Sequence, residues 1–383
     1  MRKIKVAFIH NEKKVGTGAH YINDLMSQKL KGLGVEVRHY YPEENLLDDV
    51  PTHLKGMRNI LFFYSLLSQK DKILKCDIIQ GTTYTTLAYL PFNIPVVSHF
   101  GSTTKGFLDN VPRSENTKLA LRIILMELQA KNVFSELNLR TRRPLRDIAS
   151  MEGYVARRAD YCIATSKKVK SELIKQGVRL KDIGVIHNAI EDYWFAKKPK
   201  KFTRNPGLIY LGRIGNDIFT TKLKGIDRLI WLLKKYPKIK KQVYGITSIE
   251  KLIKYLKSIP RTNVRSNVRK DRLPSFLRAQ AGSILLNTSR YEGFSLSLIE
   301  GMSQGLVPVT FPVGVAPEII NGQNGYIVKT HSEAKKRIDY LLKHPERRIA
   351  MARNAIETSQ NFRAEKMARA IKSIYESILK LKK

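Results

Sequence analysis

Ile4-Lys5-Val6-Ala7-Phe8-Ile9 opens the chain as a short β-branched run, and Gly16-Thr17-Gly18 follows as a loop. Tyr21 to Leu33 then carries Ile22, Leu25, Met26, Leu30 and Leu33 at helical spacing, and Gly34 stops that helix before Val35-Glu36-Val37. The strand–loop–helix–strand rhythm returns at Cys76-Asp77-Ile78-Ile79, Val96-Val97-Ser98-His99, Tyr161-Cys162-Ile163-Ala164 and Val185-Ile186. Short apolar strands alternating with helices predict a parallel sheet covered on both faces. Residues 191–206 hold two prolines and a basic run and read as an interdomain linker. A second series begins at Leu208-Ile209-Tyr210-Leu211 and continues through Lys241-Gln242-Val243-Tyr244, Ser283-Ile284-Leu285-Leu286 and Val307-Pro308-Val309-Thr310. The expectation is two doubly wound α/β domains in tandem, 1–190 and 207–365, with a C-terminal helix over 366–383 packing back on the first. Two such sheets facing each other would enclose a cleft at the carboxyl ends of their strands, where open parallel sheets take their ligands.

The 383 residues include 69 Lys+Arg and 33 Asp+Glu, a formal net charge of +36. A hydrophobic fraction of 43% rules out disorder as the main state. Cys76 and Cys162 alone cannot build a disulfide framework or a four-cysteine zinc site. The apolar run Ile60 to Leu67 is too short to span a bilayer, and the N-terminus lacks a signal-peptide shape. A cytoplasmic setting is therefore expected. The positive charge favours polyanionic partners without choosing among nucleic acid, anionic lipid and phosphorylated ligands.

The chemistry concentrates in residues 290–328, beginning Arg290-Tyr291-Glu292-Gly293-Phe294-Ser295 and passing through Glu300. If most of the interval from Glu292 to Glu300 were helical, the two carboxylates would lie about 12 Å apart along the axis. That exceeds the roughly 5–9.5 Å of paired glycosidase carboxylates. Gly293-Phe294-Ser295 would set backbone N–H groups at a helix N-terminus, ready for an anionic diphosphate.

Glu-Gly-Phe-Ser-x4-Glu-x-Met-x-x-Gly-x-x-Pro-Val, from Glu292 on, resembles the donor-binding signature of the family 4 retaining glycosyltransferases of GT-B fold. Gly16-Thr17-Gly18-Ala19, Val97-Ser98-His99-Phe100-Gly101, Val185-Ile186-His187-Asn188-Ala189-Ile190-Glu191, and Leu211-Gly212-Arg213 with Lys224-Gly225 resemble further motifs of that family, in its order. The resemblance implies that Arg213 and Lys224 bind the diphosphate, Glu300 holds the ribose, and Glu292 contacts sugar hydroxyls. It also implies that Gly293, Phe294 and Ser295 complete the cradle, that Gly18 approaches the phosphate from the first domain, and that His99 sits by sugar and acceptor. The implied enzyme is a retaining, metal-independent hexosyltransferase that needs no cofactor. Its partners would be a UDP- or GDP-sugar and a glycan or lipid-linked acceptor.

Three departures stand out. Eleven positions separate Arg213 from Lys224, about twice the family's usual number, so Lys222 rivals Lys224. His187 replaces a proline, and Thr17 a glycine. Alternatives are a GT-B relative, such as a sugar-nucleotide epimerase or glucan synthase, and a nucleic-acid-binding protein. No RNP, zinc-finger or helix-turn-helix pattern supports the last, so no specific nucleic acid is expected. The apolar stretch 118–134, followed by Arg140, Arg142, Arg143 and Arg146, has the composition of a segment that lies on an anionic membrane. Yet residues 1–196 carry +10 and residues 197–383 carry +26, so that anchor candidate falls in the less charged half.

Overall fold

The computed structural model describes residues 3–11, 18–43, 55–113, 116–133, 142–215 and 217–381. Two parallel six-stranded sheets carry the fold. The first joins β1 (Lys5–Ile9), β2 (Glu36–Tyr40), β3 (Ile78–Thr82), β4 (Val96–Phe100), β5 (Tyr161–Ala164) and β6 (Ile183–Val185) in the order β2-β1-β3-β4-β5-β6. The second joins β7 (Leu208–Arg213), β8 (Lys241–Ile246), β9 (Thr262–Ser266), β10 (Ile284–Asn287), β11 (Val307–Thr310) and β12 (Tyr326–Ile327) in the order β12-β11-β10-β7-β8-β9. In each sheet the chain winds out one way and then restarts beside its first strand. The winding direction therefore reverses between β1 and β3, and between β7 and β10.

Both faces of the second sheet are buried, as a doubly wound sheet requires. Leu208, Tyr210, Ile284 and Leu286 enter one apolar cluster, while their neighbours Ile209, Leu211 and Leu285 enter another. β9 and β12 are not marked by apolar runs in the sequence. Of β9 only Val264 is buried, between Asn263 and Arg265, and β12 has two residues. Both are edge strands, which need little apolar surface.

The chain divides into two units, each described by itself. The first comprises Met1–Gly106, Arg142–Ala189 and Arg363–Lys383; the second comprises Phe107–Thr141 and Ile190–Phe362. Two expectations change here. Residues 107–141, read as part of the first domain, group with the second unit. Residues 191–206 are not a free linker, because Trp194 is fully buried in the second unit's core. The C-terminal helix, Ala364–Leu381, belongs to the first unit and packs on the Gly18–Gly32 helix. Its fully buried Tyr375 donates to Gln80 Oε1 at 2.5 Å.

Candidate functional site

The β7/β10 reversal leaves a crevice at the carboxyl ends of these two strands, the place where doubly wound sheets bind ligands. β7 ends at Arg213, an exposed side chain whose carbonyl accepts from Tyr210 OH at 2.9 Å. No ion pair engages Arg213 among the described residues. The unusually long stretch after it folds into the helix Ile218–Leu223. Asp217 caps that helix, accepting from Thr220 N at 2.8 Å and Thr220 Oγ1 at 2.6 Å. Gly225, at φ +63°, then turns the chain sharply. A Cβ there would stand 1.9 Å from the Thr288 carbonyl oxygen, so this close approach requires glycine.

The loop leaving β10 is stitched to that turn. The carbonyls of Lys222, Leu223 and Lys224 accept in succession from Arg290 Nη1 (2.6 Å), Arg290 N (2.8 Å) and Thr288 Oγ1 (3.1 Å). Arg290 also pairs with Asp227 through two contacts of 2.7 and 2.5 Å, with both side chains buried. Arg228 adds bonds to the carbonyls of Thr288 and Ser289 while its guanidinium lies over Phe311. These contacts bring Lys224 Nζ to 2.7 Å from Glu292 Oε1, which also accepts from Ser289 Oγ at 2.8 Å. Lys222 is buried and donates to the Pro112 carbonyl at 3.4 Å. The two rival lysines therefore stand in different places, and Lys224 is the one beside Glu292.

Beyond Glu292 the backbone does not continue as helix. Ser295 sits at φ +83°, and the helix begins at Leu296 and ends at Ser303. The helical interval assumed for the 12 Å estimate is thus only half helical. Ser295 Oγ accepts from Asn287 Nδ2 at 3.1 Å and makes no cap bond to its own helix. The first turn of that helix has no acidic residue, leaving an end suited to an anion. Gly314 lets the neighbouring loop lie against Phe294, where a Cβ would meet the Phe294 carbonyl oxygen at 2.3 Å. The Phe294 ring itself is core, edge-on to Phe362.

Glu300, one turn into the helix, is buried and paired with Lys270 at 3.1 Å. Lys270 reaches Glu191 at 2.7 Å, and Glu191 accepts from Trp194 Nε1 at 3.1 Å. Burial opposes the Lys270 ammonium, but Glu300 and then Glu191 outweigh it and raise its pKa. Lys270 lies in a run without a motif, so only the tertiary fold reveals it as Glu300's partner. Asp227 and Arg290 were also missed as a pair, although one lies three residues after Lys224 and the other two before Glu292.

The first unit holds His99 and Gly18. His99, on β4, is buried, and its pKa is pushed down to about 4 by burial, with Asn188 acting the other way, so its ring is neutral at pH 7. Gly18 begins the Gly18–Gly32 helix, while Gly16 and Thr17 lie outside the described residues. Glu152 clamps the turn after β4, accepting from Thr104 N and Thr104 Oγ1, both at 2.7 Å. Burial pushes its carboxyl up to about 7, against the hydrogen bonds from Thr104 and Thr83. A carboxyl raised from 4.5 on folding stabilises fully below the unfolded value and loses that contribution as pH rises through about 7. Melting curves between pH 4 and 8 should therefore show a decline that Glu152→Gln flattens. An identical decline in the variant would refute this assignment. Among the described residues no group of three or more His, Cys, Asp or Glu is arranged to hold a metal.

Two family models match the chain, Glycosyltransferase Family 4 over residues 18–192 and Glycosyl transferases group 1 over residues 195–358. An uncharacterised glycosyltransferase of Methanocaldococcus jannaschii is 28% identical over 242 residues. That match covers 59% of this chain and 60% of the relative's own length. Among solved structures, sucrose-phosphate synthase from Thermosynechococcus elongatus superposes with a TM-score of 0.75 at 15% identity, covering 99% of this chain and 100% of that one. Anabaena HepE, in complex with UDP-glucose, gives 0.66 at 16% identity, with 98% and 100% covered. At these identities the solved structures establish the fold, which is GT-B.

Proposed function

The chain belongs to the family 4 glycosyltransferases of group 1, and from that premise we propose that it moves a sugar from a UDP- or GDP-sugar to a glycan or lipid-linked acceptor, with retention of anomeric configuration. The observation that carries the reading is the triple stitch between residues 222–224 and 288–290, which holds Lys224 against Glu292 at the β7/β10 crevice. In this reading Lys224 and Arg213 neutralise the charge that grows on the departing diphosphate, the largest need of such a reaction. The N–H groups from Gly293 to Ser295 and the first turn after them receive a phosphate. Glu292 takes hydroxyls of the transferred sugar. Glu300, oriented by Lys270, takes those of the ribose. Neutral His99, its ring hydrogen-bonded to Asn188, would sit by the sugar and acceptor.

The proposed reaction uses no cofactor and no metal, since two cations already face the phosphate position in this scheme. Buried, free Cys76 and Cys162 suit a reducing, cytoplasmic compartment. The test is thermal unfolding with UDP, GDP and their sugars, followed by transfer of labelled sugar to candidate acceptors in the presence of a chelator. A nucleotide at a hundredfold its Kd should stabilise the fold by about 2.7 kcal/mol. No shift with any nucleotide would sink the proposal, and turnover abolished by the chelator would remove its metal independence.

A further inference from the structure

Few residues other than glycine take a positive φ among those described, and one of them, Ser295 at φ +83° and ψ +74°, lies in the turn before the Leu296–Ser303 helix. A side chain in this region crowds its own backbone, so the conformation persists only where its surroundings hold it. Glycine would adopt it without that cost. Asn287 Nδ2 donates to Ser295 Oγ at 3.1 Å, with both side chains buried. The Phe294 carbonyl accepts from Val315 N at 3.0 Å, and the Ser295 carbonyl from Leu298 N at 3.2 Å. Of these contacts, the first alone depends on side chains.

Asn287 ends β10, and Thr288 follows it. Successive side chains along a strand point to opposite faces. Leu285, on the same face as Asn287, enters the apolar cluster of Leu298 and Ile299 from the helix after the turn. Leu286, on the other face, enters the cluster of Ile226 and Leu229. Asn287 thus reaches the Ser295 turn on one side of the sheet, while Thr288 Oγ1 reaches the Lys224 carbonyl on the other. The Asn287 carbonyl accepts from Phe311 N at 3.2 Å, so the amide projects from a fixed backbone. The rest of β10 is Ile284, Leu285 and Leu286, all buried, and an apolar side chain would suit position 287 equally well. A buried amide there costs desolvation, which its bond to Ser295 offsets.

We propose that Asn287 is a positioning residue for sugar transfer. Acting through the Ser295 hydroxyl, it holds the 293–295 turn in the strained form that aims its N–H groups at a donor phosphate. The inference rests on the reading of that turn as the phosphate cradle. The test is a double-mutant cycle on the full chain, with Asn287→Leu, Ser295→Gly and the two combined. It is read by donor kinetics and by the Kd of UDP or GDP, whichever the parent binds, against that of the matching nucleoside. Asn287→Leu should raise the Kd of the diphosphate about tenfold and leave that of the nucleoside within about twofold, because the turn meets phosphate alone. A general loss of packing would weaken both alike. Ser295→Gly should itself lower kcat/KM, since a glycine turn is unrestrained. In that background Asn287→Leu should add less than about twofold, because the hydroxyl it acts through is gone. Asn287→Ala repeats the cycle with a smaller side chain, and all kinetics are taken well below each variant's melting temperature. Equal cost of Asn287→Leu in both backgrounds overturns the proposal, as does equal weakening of diphosphate and nucleoside, or parent-like kcat/KM in the single variant. Those results leave the donor reading standing. A parent that responds to no nucleotide removes the donor reading and this proposal with it.

Discussion

Replacing Lys224 by alanine is expected to lower turnover by about two to three orders of magnitude while leaving the fold nearly as stable as before. The magnitude is that of removing one preorganised donor to a developing negative charge. The selectivity for rate follows from position. The Lys224 side chain is 21% exposed and ends on Glu292, which keeps Ser289 as a partner after the change. Its backbone carbonyl, bound by Thr288, is untouched by the substitution. Lys222→Ala is the internal control. That side chain is buried and reaches a backbone carbonyl, so its loss should appear in the melting temperature more than in kcat. Steady-state kinetics and thermal unfolding on both variants decide the matter. Equal loss of turnover in the two would remove the special role given to Lys224.

The largest effect on stability is expected at Arg290. Arg290→Met leaves the Asp227 carboxylate, itself 0% exposed, without its partner in the core of the second unit. Breaking a buried pair from one side costs about 3–5 kcal/mol. The double variant Arg290→Met with Asp227→Leu should recover most of that stability, since no buried charge remains to be solvated. It should not recover activity. The Arg290 guanidinium also holds the Lys222 carbonyl, two residues from the lysine that meets Glu292. Urea unfolding and a turnover assay on the singles and the double separate the two effects. Joint recovery of stability and activity would show that the pair serves the core alone.

How much of this was legible in the sequence depended on whether a residue's partner lies nearby in the chain. Strands buried on both faces, such as Ile284–Asn287 and Val307–Thr310, announce themselves as apolar runs, and their helices by spacing. β9 does not, because an edge strand can be charged at every exposed position. Glu292 and Glu300 stand in a compact signature, but Lys270 meets Glu300 only through folding across thirty residues. The Leu119–Ala130 helix shows the same limit at a larger scale. Its amphipathic character is local, yet its assignment to the second unit comes from packing on residues more than ninety positions away. The long stretch after Arg213 raised doubt about Lys224 in sequence terms. The structure absorbs that length in a capped helix and returns the lysine to the β10 loop.

The division of the chain into interleaved segments limits how the molecule can be recombined. The path passes from one unit to the other after Gly106, Thr141, Ala189 and Phe362, so no single cut separates them. A chimera joined only near residue 190 would mate a foreign sheet with the helix 119–130 from the wrong parent and would set the 364–381 helix against a Gly18–Gly32 helix from the other parent. Exchanging the second unit as a whole therefore calls for four junctions, with residues 107–141 travelling alongside 190–362 and the last twenty-one residues staying behind.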